Sequence, residues 1–430
     1  MNHDKYSYWL DYRKLDSNEK KIVSPTKKYL NNNIALFDAG YQLWHKGLIN
    51  STINKNLNFV FEQEAPLIDQ YRFIRRMYKP LWIYYVVFIR IITLKVNIND
   101  VISVFKTKGI NRINLNDPFY NYKDYNQFES KILSQSPLIT VVIPTLNRYD
   151  ELSNLLSDLE CQDYKNIEII IIDQSDPFNN LIYDKFNLNI NLIRQVEKGL
   201  WRARNHAIKI SNGDLILLLD DDSRVENNWI TEHIKCIEFF NADISAGVSI
   251  SSVGAPIPDH YNYFRWADQL DTGNVLLKKK VFDTCGLFDL QFEGMRMGDD
   301  EFGARAFING FKSINNPRAK RFHLKIKTGG LRQMGSWDGM RPISIFKPRP
   351  IPSILYYFRR YWGNRATILH LIQVLPISIN PYSLKGRKIG YFISLLSFFL
   401  FFPFILIQLY RSWTKSNIMI KNGPMIESLK

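Results

Sequence analysis

The chain has 430 residues, of which 46% are hydrophobic and 23% are charged, so it is long and apolar enough to bury two or three domain cores. This composition excludes a disordered or a fibrous protein. The formal net charge of +15 favours polyanionic partners. Because the basic residues are spread among apolar and aromatic stretches, we expect a membrane surface as partner and no nucleic acid.

The composition changes along the chain in three blocks. Residues 1–136 are rich in Asn, Lys and Tyr and predict a mostly helical accessory region. Residues 137–345 alternate strand-like and helix-like patterns, and residues 346–430 predict a helical, membrane-associated region. The first residues contain no apolar stretch of the secretory kind, so we expect the protein on the cytoplasmic side of the cell membrane. Three scattered cysteines argue against a disulfide scaffold and a structural zinc site.

Two strongly apolar segments lie in the outer blocks. The segment Pro80–Val96 has only 17 residues and contains Arg90, so a packed or interfacial helix is favoured over a membrane span, which needs about 20 residues. The segment Ile389–Tyr410 has 22 residues and no charge, which is long enough to cross a bilayer. Pro403 can kink it or turn it into a shallow re-entrant hairpin, and a buried soluble helix is the alternative.

The middle block predicts an α/β domain. Leu152, Leu155, Leu156 and Leu159 share one helical face, whereas neighbouring runs are apolar on both faces. Apolar strands separated by helices indicate a mostly parallel sheet with helices on both faces. The predicted strands are 138–144, 168–173, 190–195 and 214–219. The predicted helices are 150–160 and 201–210.

Carboxylates follow two of these strands. Asp173 ends one strand, and Asp220, Asp221 and Asp222 follow the apolar run Leu215–Leu219. Ligands of open parallel sheets bind beyond the carboxyl ends of the strands, so these acids are expected in one crevice. Buried carboxylates need a partner, and Mn²⁺ or Mg²⁺ bridging phosphate oxygens would supply one. A solvated acidic turn is the alternative. There is no Walker A motif, G-x-G-x-x-G fingerprint or HExxH motif.

Taken together, these stretches resemble a family 2 glycosyltransferase with the GT-A fold, over roughly residues 137–330. The stretch "VVIPTLNR" resembles the family's first strand and nucleotide-contacting turn, which implies donor-binding roles for Pro144, Thr145 and Arg148. The stretch "IIIIDQSD" resembles the second strand, with Asp173 at the position that binds the base. The stretch "KGLWRARNHAI" is similar to the G-x-x-x-A-R-N segment and implies that Arg204 contributes to donor binding.

The resemblance also assigns the acidic run and the residues beyond it. "LLLDDDS" resembles the D-x-D motif, so Asp220 and Asp221 are expected on the donor side and Asp222 as the direct metal ligand. "TGNVLLKKKVFDTCGLFD" resembles the acceptor-side stretch, with Asn274 at the family's Asn position. His323 falls where relatives carry a histidine that reaches the metal or diphosphate; a purely structural histidine is the alternative.

The segment "MGDDEFGARAF" resembles the family's G-E-D-x-E-L-G-x-R segment. This alignment puts Asp299 on the catalytic aspartate and Glu301 on the acceptor side, and a shift by one residue would make Asp300 the base instead. Gly298 stands where the family usually has Glu, which is a departure. Gly329 and Gly330, followed by Arg332, indicate a flexible loop that could close on the donor. Specificity is expected in loops such as Val253–Asp271 and near Trp337, which carry no readable code.

The resemblance implies an inverting, metal-dependent glycosyltransferase. It would move a sugar from a nucleotide-diphosphate donor to a hydroxyl of a glycan or a polyprenyl-linked acceptor, as in cell-surface polysaccharide synthesis. One alternative is a catalytically weak, glycosyltransferase-like module that binds sugar or nucleotide. A nucleotidyltransferase is disfavoured because "PTLNRYDE" is not a Gly- and Arg-rich phosphate loop.

Overall fold

The computed structural model describes residues 10–49, 65–251, 257–267, 270–326, 328–331, 339–340, 344, 346–379, 384 and 388–429. These residues group into two compact units. The larger unit contains residues 129–255 and 267–430, and the smaller contains residues 2–128 and 256–266. The three-block division at residues 136 and 345 stays a prediction. Arg332, Trp337, and residues 253–256, 268–269 and 385–387 lie outside the described residues.

The smaller unit is helical over its first part. Its helices are α1 (Asn32–His45), α2 (Leu67–Met77), α3 (Leu81–Ile92) and α4 (Ile98–Lys106). Asn31 caps α1 by accepting a hydrogen bond from the Asn33 amide, and Asn97 and Asp100 form a capping box at α4. Trp44 stacks on Trp266 with 4.9 Å between ring centroids. This stacking holds the segment 257–266 against α1.

The larger unit alternates strands and helices. Its helices are α5 (Lys131–Gln135), α6 (Tyr149–Glu160), α7 (Leu200–Ile210), α8 (Trp229–Phe239), α9 (Lys280–Cys285), α10 (Gly298–Ile308), α11 (Pro352–Val374), α12 (Lys388–Leu400) and α13 (Phe402–Asn422). The strands are β1 (Ile139–Thr145), β2 (Ile167–Asp173), β3 (Ile190–Arg194), β4 (Leu215–Leu219), β5 (Ser223–Val225), β6 (Ile244–Ile250), β7 (Arg265–Trp266), β8 (Asn274–Lys278) and β9 (Ser313–His323). Of these, β7 belongs to the smaller unit.

The described strands of the larger unit form one sheet in the order β3-β2-β1-β4-β8-β6-β9-β5. Pairs β3-β2, β2-β1, β1-β4 and β6-β9 are parallel, whereas β8 runs antiparallel to both β4 and β6. The short strand β5 pairs antiparallel with the end of β9. The prediction of a mostly parallel α/β sheet with flanking helical segments is therefore confirmed, and the antiparallel strand β8 makes the sheet a mixed one.

The central strands β1, β2 and β4 are buried on both faces because alternate side chains enter two separate cores. Val142 and Ile170 point into a core with α7, α9, α10 and α11, whereas Val141 and Ile169 point into a core with α6 and α8. Every residue of β1, β2 and β4 is buried. Full burial of each such aliphatic side chain contributes roughly 1.5–3 kcal/mol. The predicted strands and helices of this region agree with the structure to within a few residues.

The C-terminal helices α11, α12 and α13 belong to the larger unit. Helix α11 contains a break at Gly363, whose φ of 77° only glycine adopts easily. Among the described residues no single helix is long and apolar enough to cross a membrane. The pair α12–α13 passes that test of length and composition only when joined across an 82° bend. Pro403 lies in the first turn of α13, so the predicted break of this apolar segment is present.

Candidate active site

The carboxyl ends of three neighbouring strands define the site. Strands β1 and β2 pair in register up to their last residues, Thr145 and Asp173. Strand β4 lies parallel to β1 on its other side and leads directly into Asp220. Pro144 lies beyond the β1-β4 pairing, which ends at Val142, so its missing amide hydrogen removes no bond from that ladder. The structure thus brings these predicted donor-side residues to one edge of the sheet.

Asp220 is held by two buried arginines. Arg204 from α7 donates to one carboxylate oxygen at 2.6 Å, and Arg321 from β9 donates to the other at 2.9 Å. Arg204 also donates to the carbonyl oxygen of Thr272 at 2.9 Å. At Gly273, a Cβ atom would lie 1.9 Å from Arg321 and 2.2 Å from Asp220, so only glycine permits this pairing. Asp220 is therefore charge-balanced by protein groups.

Arg321 extends the network toward a fourth carboxylate. It donates to Asp271 at 3.1 Å and to the Ser249 hydroxyl at 2.9 Å, and Ser249 in turn donates to Asp271 at 2.6 Å. Burial acts to raise the pKa of Asp271, but the charge of Arg321 and these hydrogen bonds hold it below its ordinary value. Asp271 therefore stays ionised beside the Arg321 guanidinium.

Asp221 and Asp222 share one side chain, that of Arg148. The same guanidinium nitrogen lies 3.0 Å from Asp221 and 3.1 Å from Asp222. The Thr145 hydroxyl donates to Asp221 at 2.9 Å. Burial raises the pKa of Asp221 to about 7, against the opposing charge of Arg148. Burial would also raise the pKa of Asp222, but the hydrogen bond from His323 and the charge of Arg148 keep it below its ordinary value.

His323 reaches Asp222 because of a strand pairing. Strand β5 starts directly after the acidic run, and Ser223 pairs with His323 at the end of β9. The His323 Nε2 atom lies 3.3 Å from an Asp222 oxygen. Among the described residues, Asp220, Asp222 and His323 each offer one ligand atom within 4.8 Å of the other two. Two carboxylates and an imidazole form a donor set that fits a divalent cation such as Mn²⁺ or Mg²⁺.

Asp173 lies buried at the end of β2 and is well supplied with hydrogen-bond donors. One of its oxygens accepts from the hydroxyls of Tyr149 at 3.0 Å and Tyr183 at 2.8 Å. The other accepts from the Ser175 amide at 2.8 Å. A carboxylate offers about four lone-pair positions, so roughly one remains for a ligand. The base-binding role of Asp173 stays a prediction that has to share this carboxylate with two tyrosines.

The two expected acceptor-side residues lie in the interior. Asn274 accepts from the indole of Trp229 at 2.9 Å and contacts His233 Nε2 at 3.1 Å. Glu301 is fully buried and accepts from Arg305 at 2.9 Å and from Tyr361 at 2.6 Å. Both side chains connect elements of the core, and their acceptor-side role stays a prediction.

Asp299 and Asp300 stand in the first turn of α10 and are both partly exposed. A helix N-terminus favours negative charge, so the position suits carboxylates. Burial nevertheless raises the pKa of Asp300 to about 6, and the charge of Asp299 adds to the rise while Arg296 opposes it. A carboxyl group with this pKa is suited to accept a proton near neutral pH.

Trp201 connects α7 with the start of α10. Its indole nitrogen donates to the Phe292 carbonyl at 3.0 Å, and the Arg204 guanidinium lies 5.3 Å from its ring centroid. At Gly298, a Cβ atom would approach the Trp201 ring to 2.4 Å. The Trp201 ring thus occupies the space that a larger residue at position 298 would need.

Arg321 and Glu293 are among the residues of this network that were not found from the sequence. Arg321 could have been, because it lies two residues before His323 on a strand and therefore faces the same side. Glu293 could not, because nothing in its local sequence marks it. Its carboxylate accepts from the amides of Leu200 at 2.6 Å and of Trp201 and Arg202 at 3.0 Å each, which supplies the first turn of α7 with acceptors.

Comparison with known proteins supplies the family. The segment 140–294 matches the sequence profile described as glycosyl transferase family 2. Residues 140–294 form a glycosyl transferase family 2 domain. This family, together with the mixed sheet, confirms the predicted GT-A-type fold. Asp299, Asp300, Glu301 and His323 lie beyond the matched segment, so their roles are not covered by it.

Individual relatives share only part of the chain. Glycosyltransferase GlyG from Streptococcus pneumoniae is 29% identical over 180 residues, which cover 40% of this chain and 54% of GlyG. The E. coli protein WfaP, a UDP-Glc:alpha-D-GlcNAc-diphosphoundecaprenol beta-1,3-glucosyltransferase, is 27% identical over 188 residues, 41% of this chain and 73% of WfaP. The chain thus spans about half the length of GlyG.

Among solved structures, the mannosyltransferase PcManGT from Pyrobaculum calidifontis, in complex with GDP-Man and Mn²⁺, matches with a TM-score of 0.45 and 15% identity. The match covers 69% of this chain and 91% of PcManGT. A TM-score of this size carries no conclusion about the site. The chemistry of the site therefore rests on the family 2 domain and on the geometry of this chain's own residues.

The contact between Gly298 and Trp201 predicts coupled substitutions. Gly298→Ala should destabilise the protein by about 1–3 kcal/mol, because the new methyl group overpacks against the indole. Trp201→Phe removes the ring atoms nearest to position 298, so the double variant should be clearly more stable than the sum of the two single changes predicts. Urea unfolding of the four proteins measures this coupling. Strictly additive changes would show that the two residues do not touch.

Proposed function

We propose that this protein is an inverting, metal-dependent glycosyltransferase that moves a sugar from a nucleotide-diphosphate donor to a hydroxyl of a glycan or lipid-linked acceptor. The observation that carries the proposal is the group of Asp220, Asp222 and His323 at the strand ends of a family 2 domain.

The donor side is formed by groups with different charges. Asp173 and the two tyrosines that donate to it would form hydrogen bonds with the base. Thr145 is the last residue of the adjacent strand β1, and its hydroxyl donates to Asp221. Arg148 lies on the acidic run and supplies positive charge where a diphosphate would arrive. Arg204 supports this indirectly, since its hydrogen bond fixes the orientation of Asp220.

Asp222 and His323 would hold the cation, with Asp220 completing the set. When bound there, Mn²⁺ or Mg²⁺ would act as a Lewis acid on the diphosphate leaving group. Asp222 suits this role because His323 and Arg148 favour its ionised form. Asp220 is the less available ligand, because both of its oxygens already accept hydrogen bonds from buried arginines.

The acceptor hydroxyl requires a base on the opposite face of the sugar. Asp299 would take the hydroxyl proton while the acceptor oxygen bonds to the anomeric carbon. The bond from that carbon to the diphosphate oxygen breaks in the same displacement, and the diphosphate leaves with the electron pair. A single displacement inverts the anomeric centre. Asp300 is the second candidate, and its pKa of about 6 favours it on chemical grounds.

A membrane-bound acceptor fits the C-terminal helices. Helix α13 turns Gln408, Ser412 and Ser416 toward the protein, whereas Phe404 and Ile407 are about half exposed on its outside. The exposed apolar side chains of α12 continue this surface, for example Phe392, Leu396 and Phe399. A bent apolar pair of this kind can lie in one leaflet. WfaP, whose name specifies a diphosphoundecaprenol acceptor, provides additional support from a relative.

Loss of the Asp222 carboxylate should abolish metal-dependent activity. A panel of sugar nucleotides is incubated with purified protein in mild detergent, with Mn²⁺, Mg²⁺ or EDTA, and nucleotide release is measured. We expect nucleotide release from one donor, and only with metal. In Asp222→Ala the rate of release should fall by about 100-fold or more, because losing a group that stabilises a developing charge has an effect of about this size. The exposed Asp184→Ala is the matched control. Equal metal-dependent activity in Asp222→Ala would contradict the ligand assignment.

Conservative amide variants distinguish the two candidate bases. Asp299→Asn should lose sugar transfer by about 100-fold or more while binding the donor normally, because general base catalysis contributes about that much. Asp300→Asn serves as the matched comparison. Transfer rates with the acceptor and donor affinity by calorimetry give both readouts. If Asp299→Asn turns over normally and Asp300→Asn does not, the base is Asp300.

Membrane binding of α12 needs substitutions rather than truncation. The tail beyond α13 pairs with the core, since the Met425 amide donates to Asp289 at 2.9 Å and the Leu287 amide donates to the Glu427 carbonyl at 2.8 Å. Removing residues 385–430 would therefore damage the larger unit itself.

Phe392→Glu with Phe399→Glu should instead shift the protein from the membrane fraction toward the soluble fraction after cell lysis, since both side chains are exposed and apolar. Leu181→Glu, at an exposed apolar position of the family 2 domain, is the control. Unchanged partitioning of the double variant would show that α12 does not hold the protein at the membrane.

A further inference from the structure

Helix α4 of the smaller unit carries its polar side inward and its apolar side outward. Its inner face consists of Asp100 and Ser103, with Thr107 directly after the helix, and all three are buried. Its outer face consists of exposed large apolar side chains: Ile98, Val101, Ile102 and Phe105. A surface helix of a soluble protein has the opposite arrangement.

Specific contacts fix this orientation. Arg90 of α3 forms a salt bridge with Asp100 at 2.5 Å, and Tyr71 of α2 donates to the same carboxylate at 2.8 Å. Arg75 of α2 donates to the Thr107 hydroxyl at 2.9 Å. Rotating α4 to bury its apolar face would break these bonds. Asp100 would then lack its partner Arg90, and an unpaired buried carboxylate is costly. The outward apolar face is therefore a stable feature of this unit.

The turn between α3 and α4 is equally well held, and it presents an apolar tip. The Lys95 amide donates to the Arg90 carbonyl at 2.8 Å, and the Arg90 guanidinium donates to the Lys95 carbonyl at 2.9 Å. Leu94, in a left-handed conformation with φ of 55°, is 93% exposed at the tip. Helix α3 adds further exposed apolar side chains, including Tyr84 and Phe88. We call residues 81–106 the α3–α4 hairpin.

The exposed charged side chains of residues 79–112 are all positive. Across residues 79–112, which the structure describes completely, Asp100 is the one acidic residue, and it is buried and paired with Arg90. The exposed basic residues of this segment are Lys79, Lys95, Lys106, Lys108 and Arg112. An apolar face surrounded by cations matches the two layers of an anionic bilayer surface, phosphate outside and acyl chains beneath.

We propose that the α3–α4 hairpin docks on an anionic phospholipid bilayer, with Leu94 and the outer face of α4 at the boundary between headgroups and acyl chains. The surrounding lysines and arginine then contact lipid phosphates. A second copy of this chain fits less well, because a two-fold interface would set the same cations against one another. The inference goes beyond the proposed sugar transfer and does not depend on it.

A fluorophore placed at the tip tests this directly in the full-length chain. Leu94→Cys is labelled with an NBD probe in a Cys161→Ser background, since Cys236 and Cys285 are buried. The probe is titrated with phosphatidylcholine vesicles containing phosphatidylglycerol, and with pure phosphatidylcholine. We expect a blue shift and a several-fold rise in emission with the anionic vesicles, reduced by high salt. A probe at Leu181→Cys, an exposed site in the larger unit, should not change.

Other results would overturn the proposal. Equal changes at both probes would indicate unspecific adsorption of the whole protein, and no change at position 94 would indicate that the hairpin stays in water. A blue shift that follows protein concentration without lipid, together with dimer formation in analytical ultracentrifugation, would assign the face to a second copy. None of these measurements involves a sugar nucleotide, so their failure is separate from failure of the proposed function.

A variant pair checks that the apolar face supplies the affinity. Ile98→Glu with Phe105→Glu should weaken binding to the anionic vesicles by about tenfold or more. The reason is that two apolar side chains, which would move from water into the bilayer on docking, are replaced by charged ones. Thermal melting should be unchanged, because both side chains are exposed. Glu substitution at Leu181 is the control. Unchanged vesicle affinity of the folded double variant would contradict docking through this face.

Discussion

Three consecutive carboxylates at the end of a buried strand repel one another, and the surrounding structure depends on balancing that charge. Two like charges about 4 Å apart near a protein surface cost about 4 kcal/mol. Each acid is treated differently. Asp220 is matched by Arg204 and Arg321, Asp221 has a pKa of about 7 and contacts Arg148, and Asp222 is kept ionised beside His323. The one carboxylate left strongly anionic and only partly satisfied is the expected metal ligand.

Arg204 links the Asp220 carboxylate to other parts of the domain. Its guanidinium packs on Trp201, and Trp201 fills the space beside Gly298 at the start of α10. Through Trp201, the start of the helix that carries Asp299 and Asp300 is thereby linked to Arg204, one of the two arginines that hold Asp220. In the proposed transfer, two bound substrates need a fixed spacing, and this chain of contacts would provide it. A buried ion pair also fixes the α3–α4 hairpin, because the bond between Arg90 and Asp100 determines which face of α4 is turned outward.

Much of the sheet could be predicted from the sequence, because strands such as β2 are apolar on both faces and end in recognisable polar residues. The acidic run and His323 were also found, and strand pairing explains why they meet. Other features depend on tertiary contacts that no local pattern encodes. The three amides accepted by Glu293 are one case. The face of α4 is another: periodicity shows which residues share a side of a helix, but the partners of Asp100 decide which side is buried.

The proposed metal site can be tested by locating the cation in crystals grown with a nucleoside diphosphate and Mn²⁺, using anomalous scattering from manganese. We expect one anomalous peak at the ends of β4 and β9, within about 2.0–2.3 Å of an Asp222 oxygen and the His323 ring nitrogen, and in contact with the diphosphate. Asp220 should keep its bonds to Arg204 and Arg321. A diphosphate bound at the strand ends without a metal peak there, or a peak that leaves Asp222 and His323 uncoordinated, would show that these two residues do not hold the cation.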